Sequence, residues 1–148
     1  MAGTFALDLQ RFAEKCGRKA DDVVGNIVVR IAQQLDSRSP VGDATYWKSK
    51  PPQGYVGGHF RGNWQIGVGS RPTAELSRID PSGSDTLGAI IAEIPVEAAG
   101  KVYWLSNNVP YAQALENGHS RQAPQGIVGL TVTMFQGIVR EAIAEVQK

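Results

Sequence analysis

The chain has 148 residues, a formal net charge of +1, 42% hydrophobic residues and 20% charged residues. This length suits one compact core, so we expect a single domain over residues 1–148. The balanced charge gives no global reason to expect nucleic acid, a membrane or an acidic partner. No apolar run approaches the ~18–20 residues of a membrane span, and the single cysteine, Cys16, has no disulfide partner in the chain. These features predict a soluble protein made in a cytoplasm.

The N-terminal segment, from Thr4 to about Leu35, has the apolar periodicity of a long amphipathic helix. Thr4 is the expected N-cap, and Gly17 marks a possible kink. Pro40 disfavours helical geometry just before it, so the helix should end between residues 36 and 39. The predicted apolar stripe consists of Phe5, Leu9, Phe12, Cys16, Ala20, Val23, Ile27, Ile31 and Leu35.

Residues 40–62 contain three prolines and little periodicity, which indicates an extended loop arm. Between Arg38 and Arg71 there is one acidic residue, Asp43. The basic and aromatic residues of this region are Arg38, Lys48, Lys50, Arg61 and Arg71, with Tyr46, Trp47, Tyr55 and Phe60. Such a segment suits the core of a protein interface. Contact with a nucleic acid backbone and a simple solvated loop are the alternatives.

The centre of the chain predicts a small sheet between loops. Trp64 to Val68 alternates as a strand with a buried aromatic residue, and residues 101–106 should form a second strand that pairs with it. Residues 70–85 have the composition of a loop. Residues 86–94 fit either a helix capped by Asp85 or a strand, and their spacing favours the helix.

The C-terminal part predicts a short helix from Pro110 to Asn117, with Gly118 as its left-handed end. A final helix should span residues 125–146. One apolar row on it consists of Ile127, Leu130, Met134, Ile138 and Ala142, and a second row of Val128, Val132, Phe135, Val139, Ile143 and Val146. Two rows exceed what one small sheet covers, so we expect part of this face to be buried against another subunit. A monomer core that takes both rows is the alternative.

Residue patterns for catalysis or cofactor binding are weak. The two histidines, His59 and His119, lie 60 positions apart and have no cluster of Cys or carboxylate ligands beside them in the sequence. Phosphate-binding, dinucleotide-binding and serine-hydrolase motifs are absent from the sequence. A small hydrolase built on His119 and Glu116 would need a partner group at the right distance. We therefore expect no enzyme activity, no metal and no cofactor.

Two sequence blocks resemble the tail-completion, or neck, family of tailed bacteriophages, whose members join head and tail. The first block is SPVGD at residues 39–43, continued after an insert by GGHFRGNWQ at residues 57–65. The second is NNVPYAQALENG at residues 107–118, continued by HSRQAPQG at residues 119–126. The resemblance extends over about residues 4–146, and the insert between Gly42 and Gly57 departs from the family pattern.

The resemblance implies an α+β subunit with a long N-terminal helix, a small antiparallel sheet, short helices and a C-terminal helix. It also implies a structural virion protein, made in the bacterial host, in a ring of six or twelve copies around the DNA channel. Its partners would be other neck and tail proteins and the DNA that passes through the channel. The resemblance implies no catalytic residues. We expect the subunit interface at Tyr46, Trp47, Tyr55, Phe60, Arg61, Val128, Val132, Phe135, Val139 and Ile143, and possible DNA contacts at Arg38, Lys48, Lys50 and Arg71.

Overall fold

The computed structural model describes residues 18–42 and 50–147. These residues form an α+β fold in which helices surround a two-stranded antiparallel sheet, as predicted. The elements in chain order are α1 (Arg18–Arg38), β1 (Trp64–Val68), α2 (Ser84–Glu93), β2 (Tyr103–Asn107), α3 (Ala112–Glu116), α4 (Val128–Thr133) and α5 (Phe135–Val146). A 3-10 turn, Arg61–Asn63, leads directly into β1.

Helix α1 packs against both α2 and α5. It runs antiparallel to α5, because Arg30 pairs with Glu141 at 2.9 Å while Arg38 contacts the sulfur of Met134 at 3.0 Å. The helix ends at Arg38, before Pro40 as predicted. The predicted start at Thr4 and the possible kink at Gly17 lie outside the described residues.

The sheet has the predicted pairing, with Trp64 opposite Asn107 and Val68 opposite Tyr103. The indole of Trp64 is buried and stands edge-on to the ring of Phe60, with 5.8 Å between the ring centroids. Around this pair lies the main core cluster, whose buried members are Ala32, Leu35, Phe60, Trp64, Ile90, Val109, Ala123 and Ile127. The core therefore joins α1, the sheet, α2 and the connections on either side of α3.

Residues 86–93 belong to a helix and Ile94 is its C-cap, which confirms the favoured helical interpretation, but the predicted N-cap is wrong. Asp85 lies in the first turn of α2, and Gly83 occupies the N-cap position with a φ of 80°. The carboxylate of Asp80 accepts hydrogen bonds from the backbone N–H groups of Gly83 (3.0 Å) and Thr86 (2.8 Å). A side chain three residues upstream of the N-cap thus satisfies the free donors at this helix end.

The predicted continuous helix over residues 125–146 is wrong as well, because the structure divides it into α4 and α5 at Met134. The hydroxyl of Thr131 donates to the carbonyl oxygen of Ile127 at 2.9 Å, and that of Thr133 donates to Leu130 at 2.6 Å. Such bonds from threonine to its own helix bend helices. The short helix after Pro110 is confirmed as α3, and Gly118 has the expected left-handed φ of 87°.

Candidate interaction site

Phe60 was expected at a subunit interface, and the structure corrects this. It is only 6% exposed and belongs to the core against Trp64. Arg61, the next residue, is also held within the chain: its guanidinium lies 3.4 Å from the carboxylate of Asp36 and donates to the carbonyl oxygen of Pro81 at 2.8 Å. Both side chains therefore contribute to the fold, Phe60 in the core and Arg61 through contacts with Asp36 and Pro81.

The two ends of the arm lie close together. A side chain at Gly57 would collide with the carbonyl oxygen of Gly42, and one at Gly42 would collide with the hydroxyl of Tyr55. The tyrosine itself is partly exposed. The parts of the arm on either side of residues 43–49 thus meet at Gly42, Tyr55 and Gly57. Three predicted contact residues on it, Tyr46, Trp47 and Lys48, lie outside the described residues.

The remaining basic residues that were expected to contact DNA differ in their exposure. Lys50 and Arg71 are exposed. Arg38 is half-buried, and its guanidinium donates to the side chain of Gln34 at 3.2 Å as well as to Met134. Arg61 is paired with Asp36, so the basic segment retains less free positive charge than its sequence indicates.

The two sequence blocks that resemble the phage family are hydrogen-bonded to each other. The amide of Gln122 accepts from the N–H of Val41 at 2.9 Å and donates to the carbonyl oxygen of the same residue at 2.7 Å. The side chain of Asn107 donates to the carbonyl oxygen of Phe60 at 2.8 Å. The blocks therefore form one structural unit, although more than 40 residues separate them in the chain.

Two polar side chains that the sequence did not single out hold the loop after β1. Asn63 is fully buried, donates to the carbonyl oxygens of His59 (2.7 Å) and Leu76 (3.0 Å), and accepts from the N–H of Leu76 at 2.7 Å. Arg78 donates to the carbonyl oxygens of Gly62 (2.8 Å) and Trp64 (3.1 Å). A buried asparagine with all these bonds fixes a loop that has no regular structure of its own.

Glu116 caps the N-terminus of α4. Its carboxylate accepts hydrogen bonds from the backbone N–H groups of Ile127 (3.0 Å), Val128 (2.9 Å) and Gly129 (3.0 Å). Burial alone would raise the pKa of this carboxyl, but the three N–H donors outweigh burial and lower the pKa below its usual value of 4.5. With its oxygens engaged by backbone, Glu116 has a structural role, and the nearby His119 is exposed.

Asp36 and Asp80 form the most buried charged group among the described residues, next to Arg61. Burial raises the pKa of Asp36 despite the attraction of Arg61, and the neighbouring Asp80 raises it further. For Asp80, burial is outweighed by hydrogen bonds from Thr86, Gly83 and Ser82, so its pKa lies below 3.8. This arrangement joins the end of α1 to the start of α2 and requires no ligand.

The outer face of α4 and α5 carries the largest exposed apolar side chains of the C-terminal region. Val132 is 66% exposed, Phe135 48% and Val128 43%, while Val139 and Ile143 are half-buried. On the opposite row, Ile127, Ile138 and Ala142 are buried. Of the first predicted row, Leu130 is half-buried and Met134 is 37% exposed. The first row therefore supplies the buried side chains of α4 and α5, and the second row supplies most of their exposed apolar side chains.

Within residues 18–42 and 50–147, no three His, Cys, Asp or Glu side chains are grouped so that they could hold a metal ion. In the same part of the chain, every helix is too short or too polar to cross a membrane. Comparison of the chain with protein-family models, with curated proteins and with solved structures finds no match.

Proposed function

We propose that this protein is a structural subunit of a tailed-phage neck, located in the virion. It forms or joins a ring at the head-proximal end of the tail. The observation that carries the proposal is the exposed apolar face of α4 and α5, with Val128, Val132 and Phe135 at its centre. The sequence resemblance suggests the assembly: six or twelve copies of this chain would form a ring around the DNA channel, in contact with other neck and tail proteins.

The energetics support a subunit contact at this face. Full burial of a large apolar side chain contributes ~1.5–3 kcal/mol, and the three central side chains are each about half exposed or more. Burying what remains of them would contribute a few kcal/mol toward a subunit contact, part of what is needed to offset the entropy lost on association. The formal net charge of +1 adds little repulsion between copies.

A closed ring needs two different surfaces on each subunit, because its contacts are head-to-tail. The α4–α5 face is one surface. We place the second surface on the arm, because its residues 52–56 are exposed next to the contact between Gly42 and Gly57. The resembling blocks support this division of roles: Ser39, Asn107 and Gln122 hold the subunit together, which leaves the arm and the α4–α5 face for contacts with neighbours.

The test is the mass of the purified protein by light scattering, alone and mixed with neck and tail proteins of a tailed phage. We expect a discrete ring or incorporation into a connector. Phe135→Glu should abolish that assembly without unfolding the subunit, because the side chain of Phe135 is 48% exposed in the single subunit. Val96→Glu is the matched control, since Val96 is apolar and 85% exposed but lies far along the chain from α4 and α5.

A chain that stays monomeric in every mixture would contradict the proposal. Equal loss of assembly in the Phe135→Glu and Val96→Glu variants would contradict the assignment of the face. If the monomer instead binds duplex DNA with an affinity that falls steeply with salt, the alternative of a nucleic-acid-binding module around Lys50 and Arg71 would replace the neck proposal.

A further inference from the structure

A wide cleft lies where the two sequence blocks meet. Its volume is about 890 Å³, which is in the range of sites that hold a small ligand or a few side chains of a peptide. Three segments line it: residues 40–42, residues 58–60 with Tyr55, and residues 119–122 with Tyr111 and Leu115. All of these except Tyr55 belong to the two blocks. The cleft is therefore a feature of the packed blocks, and no residue of α4 or α5 lines it.

The loop that carries Arg121 into this cleft is held on both sides. The N–H of Ala123 donates to the carbonyl oxygen of Ser120 at 3.1 Å, and the N–H of Gln122 donates to the hydroxyl of Ser120 at 3.2 Å. The side chain of Gln122 is bonded twice to Val41. Arg121 itself is exposed, and the ion pairs of residues 18–42 and 50–147 do not include it. A fixed backbone that presents an unpaired guanidinium favours binding, because less freedom is lost when a ligand arrives.

The charge of the lining favours an anion. Among the described residues, no Asp or Glu lines the cleft, whereas Arg121, His59 and His119 do. The imidazole of His59 is bonded to the carboxylate of Glu75 at 3.1 Å, so Arg121 and His119 remain to meet a negative group. A guanidinium binds a carboxylate through two parallel charge-assisted hydrogen bonds. The cleft thus offers a carboxylate a partner of matching geometry.

The cleft also has an aromatic side. The ring of Tyr111 packs against Phe60, with 6.4 Å between the ring centroids, and Tyr111 is still 44% exposed. Tyrosine and arginine are enriched where proteins meet. A nucleic acid strand would need a row of cations along its phosphates, and Arg121 alone among the described lining residues carries a permanent positive charge. The lining therefore suits a carboxylate that stands next to an apolar or aromatic side chain.

We propose that this cleft binds a short acidic segment of a partner protein. A carboxylate of the segment pairs with the guanidinium of Arg121, and an adjacent apolar or aromatic side chain packs against Tyr111. The volume of about 890 Å³ limits what enters to a few side chains. The cleft shares only Tyr55 with the exposed arm residues 52–56 and no residue with the α4–α5 face, so the inference does not depend on the neck proposal.

The experiment titrates the full chain at pH 7 and low salt with a capped tetrapeptide of alternating glutamate and phenylalanine, and it follows backbone amides by NMR. Binding should shift the amide signals of Tyr111, His119 and Arg121. The same peptide with glutamine in place of glutamate keeps the aromatic side chains and loses the charges. We expect it to bind at least about tenfold more weakly, because hydrogen bonds between charged groups are the stronger ones.

Three protein variants locate the binding and its sign. Arg121→Gln removes the guanidinium at an exposed position and should weaken binding of the glutamate peptide at least about tenfold. Arg140→Gln removes an exposed arginine of α5 that does not line the cleft, and the affinity should stay within about twofold. Glu75→Gln removes a negative charge beside His59 and should raise the affinity by up to about fivefold. The amide spectrum of each variant shows whether it is folded.

Several outcomes would overturn the proposal. These are no shift at peptide concentrations of about a few mM, the upper end of weak specific affinity, equal binding of the glutamate and glutamine peptides, or equal losses in Arg121→Gln and Arg140→Gln. Weaker binding in Glu75→Gln would show that the cleft takes a cation. Tighter binding of a short oligothymidylate than of the peptide, with shifts at the same amides, would assign the cleft to nucleic acid and would likewise overturn the partner assignment.

Discussion

Glu116 is the single side chain on which the start of α4 depends. Its two carboxylate oxygens accept three backbone N–H groups that no helical carbonyl can reach. Glu116→Gln replaces one of these oxygens with an NH2 donor that faces another donor. We expect a loss of about 1.5–3 kcal/mol in the free energy of unfolding, the range for hydrogen bonds to a charged group. Urea unfolding at pH 7 measures it, with Glu97→Gln, at an exposed site, as the control that should change little.

The same carboxylate gives stability a defined pH dependence. The folded-state pKa of Glu116 lies below its usual 4.5, and that of Asp80 below 3.8. Their contribution is therefore fully present above about pH 4.5 and is lost as the pH falls through the lowered folded-state values. When urea unfolding is repeated from pH 7 down to pH 3, the difference in unfolding free energy between wild type and Glu116→Gln should stay constant to about pH 4.5 and shrink below it. A difference that does not shrink below pH 4.5 would contradict the ionised cap.

Asp36 should give a dependence of the opposite sign. Burial raises its folded-state pKa above 3.8, so the folded state binds a proton more tightly than the unfolded chain. Stability from this group is present at low pH and lost as the pH rises through the folded-state pKa. Asp36→Asn, which cannot ionise, should therefore gain stability relative to wild type between pH 3 and pH 7. A relative loss over that range in the same urea series would show that Arg61 dominates instead.

At the scale of elements, Gly25 lies inside α1 and lowers the stability of that helix. Glycine costs about 1 kcal/mol relative to alanine inside a helix. A Cβ at this position would meet Ile94 and Ala98 at 3.9 and 4.0 Å, which is ordinary contact. Gly25→Ala should raise the stability by about 0.5–1 kcal/mol and Tm by about 1–4 °C, measured by calorimetry.

Gly126 is the matched comparison for that substitution. It has a φ of 85°, and a side chain there would meet the carbonyl oxygen of Glu116 at 2.5 Å. Gly126→Ala should therefore destabilise the protein by at least about 1 kcal/mol, because it combines backbone strain with a collision. Stabilisation by both substitutions would contradict the packing of α4 against α3.

At the scale of the whole molecule, one buried hydrogen bond joins the end of α1 to the sheet. The indole N–H of Trp64 donates to the hydroxyl of Ser39 at 2.7 Å, and that hydroxyl donates to the carbonyl oxygen of Leu35 at 2.6 Å. Ser39→Ala leaves a buried indole N–H without a partner and should cost about 1–3 kcal/mol. Thermal unfolding measures the loss, and the exposed Ser37→Ala is the control.

The sequence by itself determined the regular elements that follow local periodicity and stop signals. The end of α1 before Pro40, the two strands, the short α3 and the left-handed Gly118 were all predictable, because residues within a few positions decide them. The class of fold followed from their order. The cap of α2 was missed, although Asp80 precedes Pro81 and Gly83 in a turn-forming sequence that could have indicated it.

Only the tertiary structure decided which polar residues hold the molecule together and which apolar residues remain outside. Phe60 and Tyr55 are both aromatic residues of the predicted arm, yet Phe60 is buried against Trp64 while Tyr55 is 38% exposed. Asn63, Gln122 and Glu116 bind partners 11 to 81 residues away. Local pattern cannot indicate such bonds, because burial and long-range pairing are properties of the packed chain.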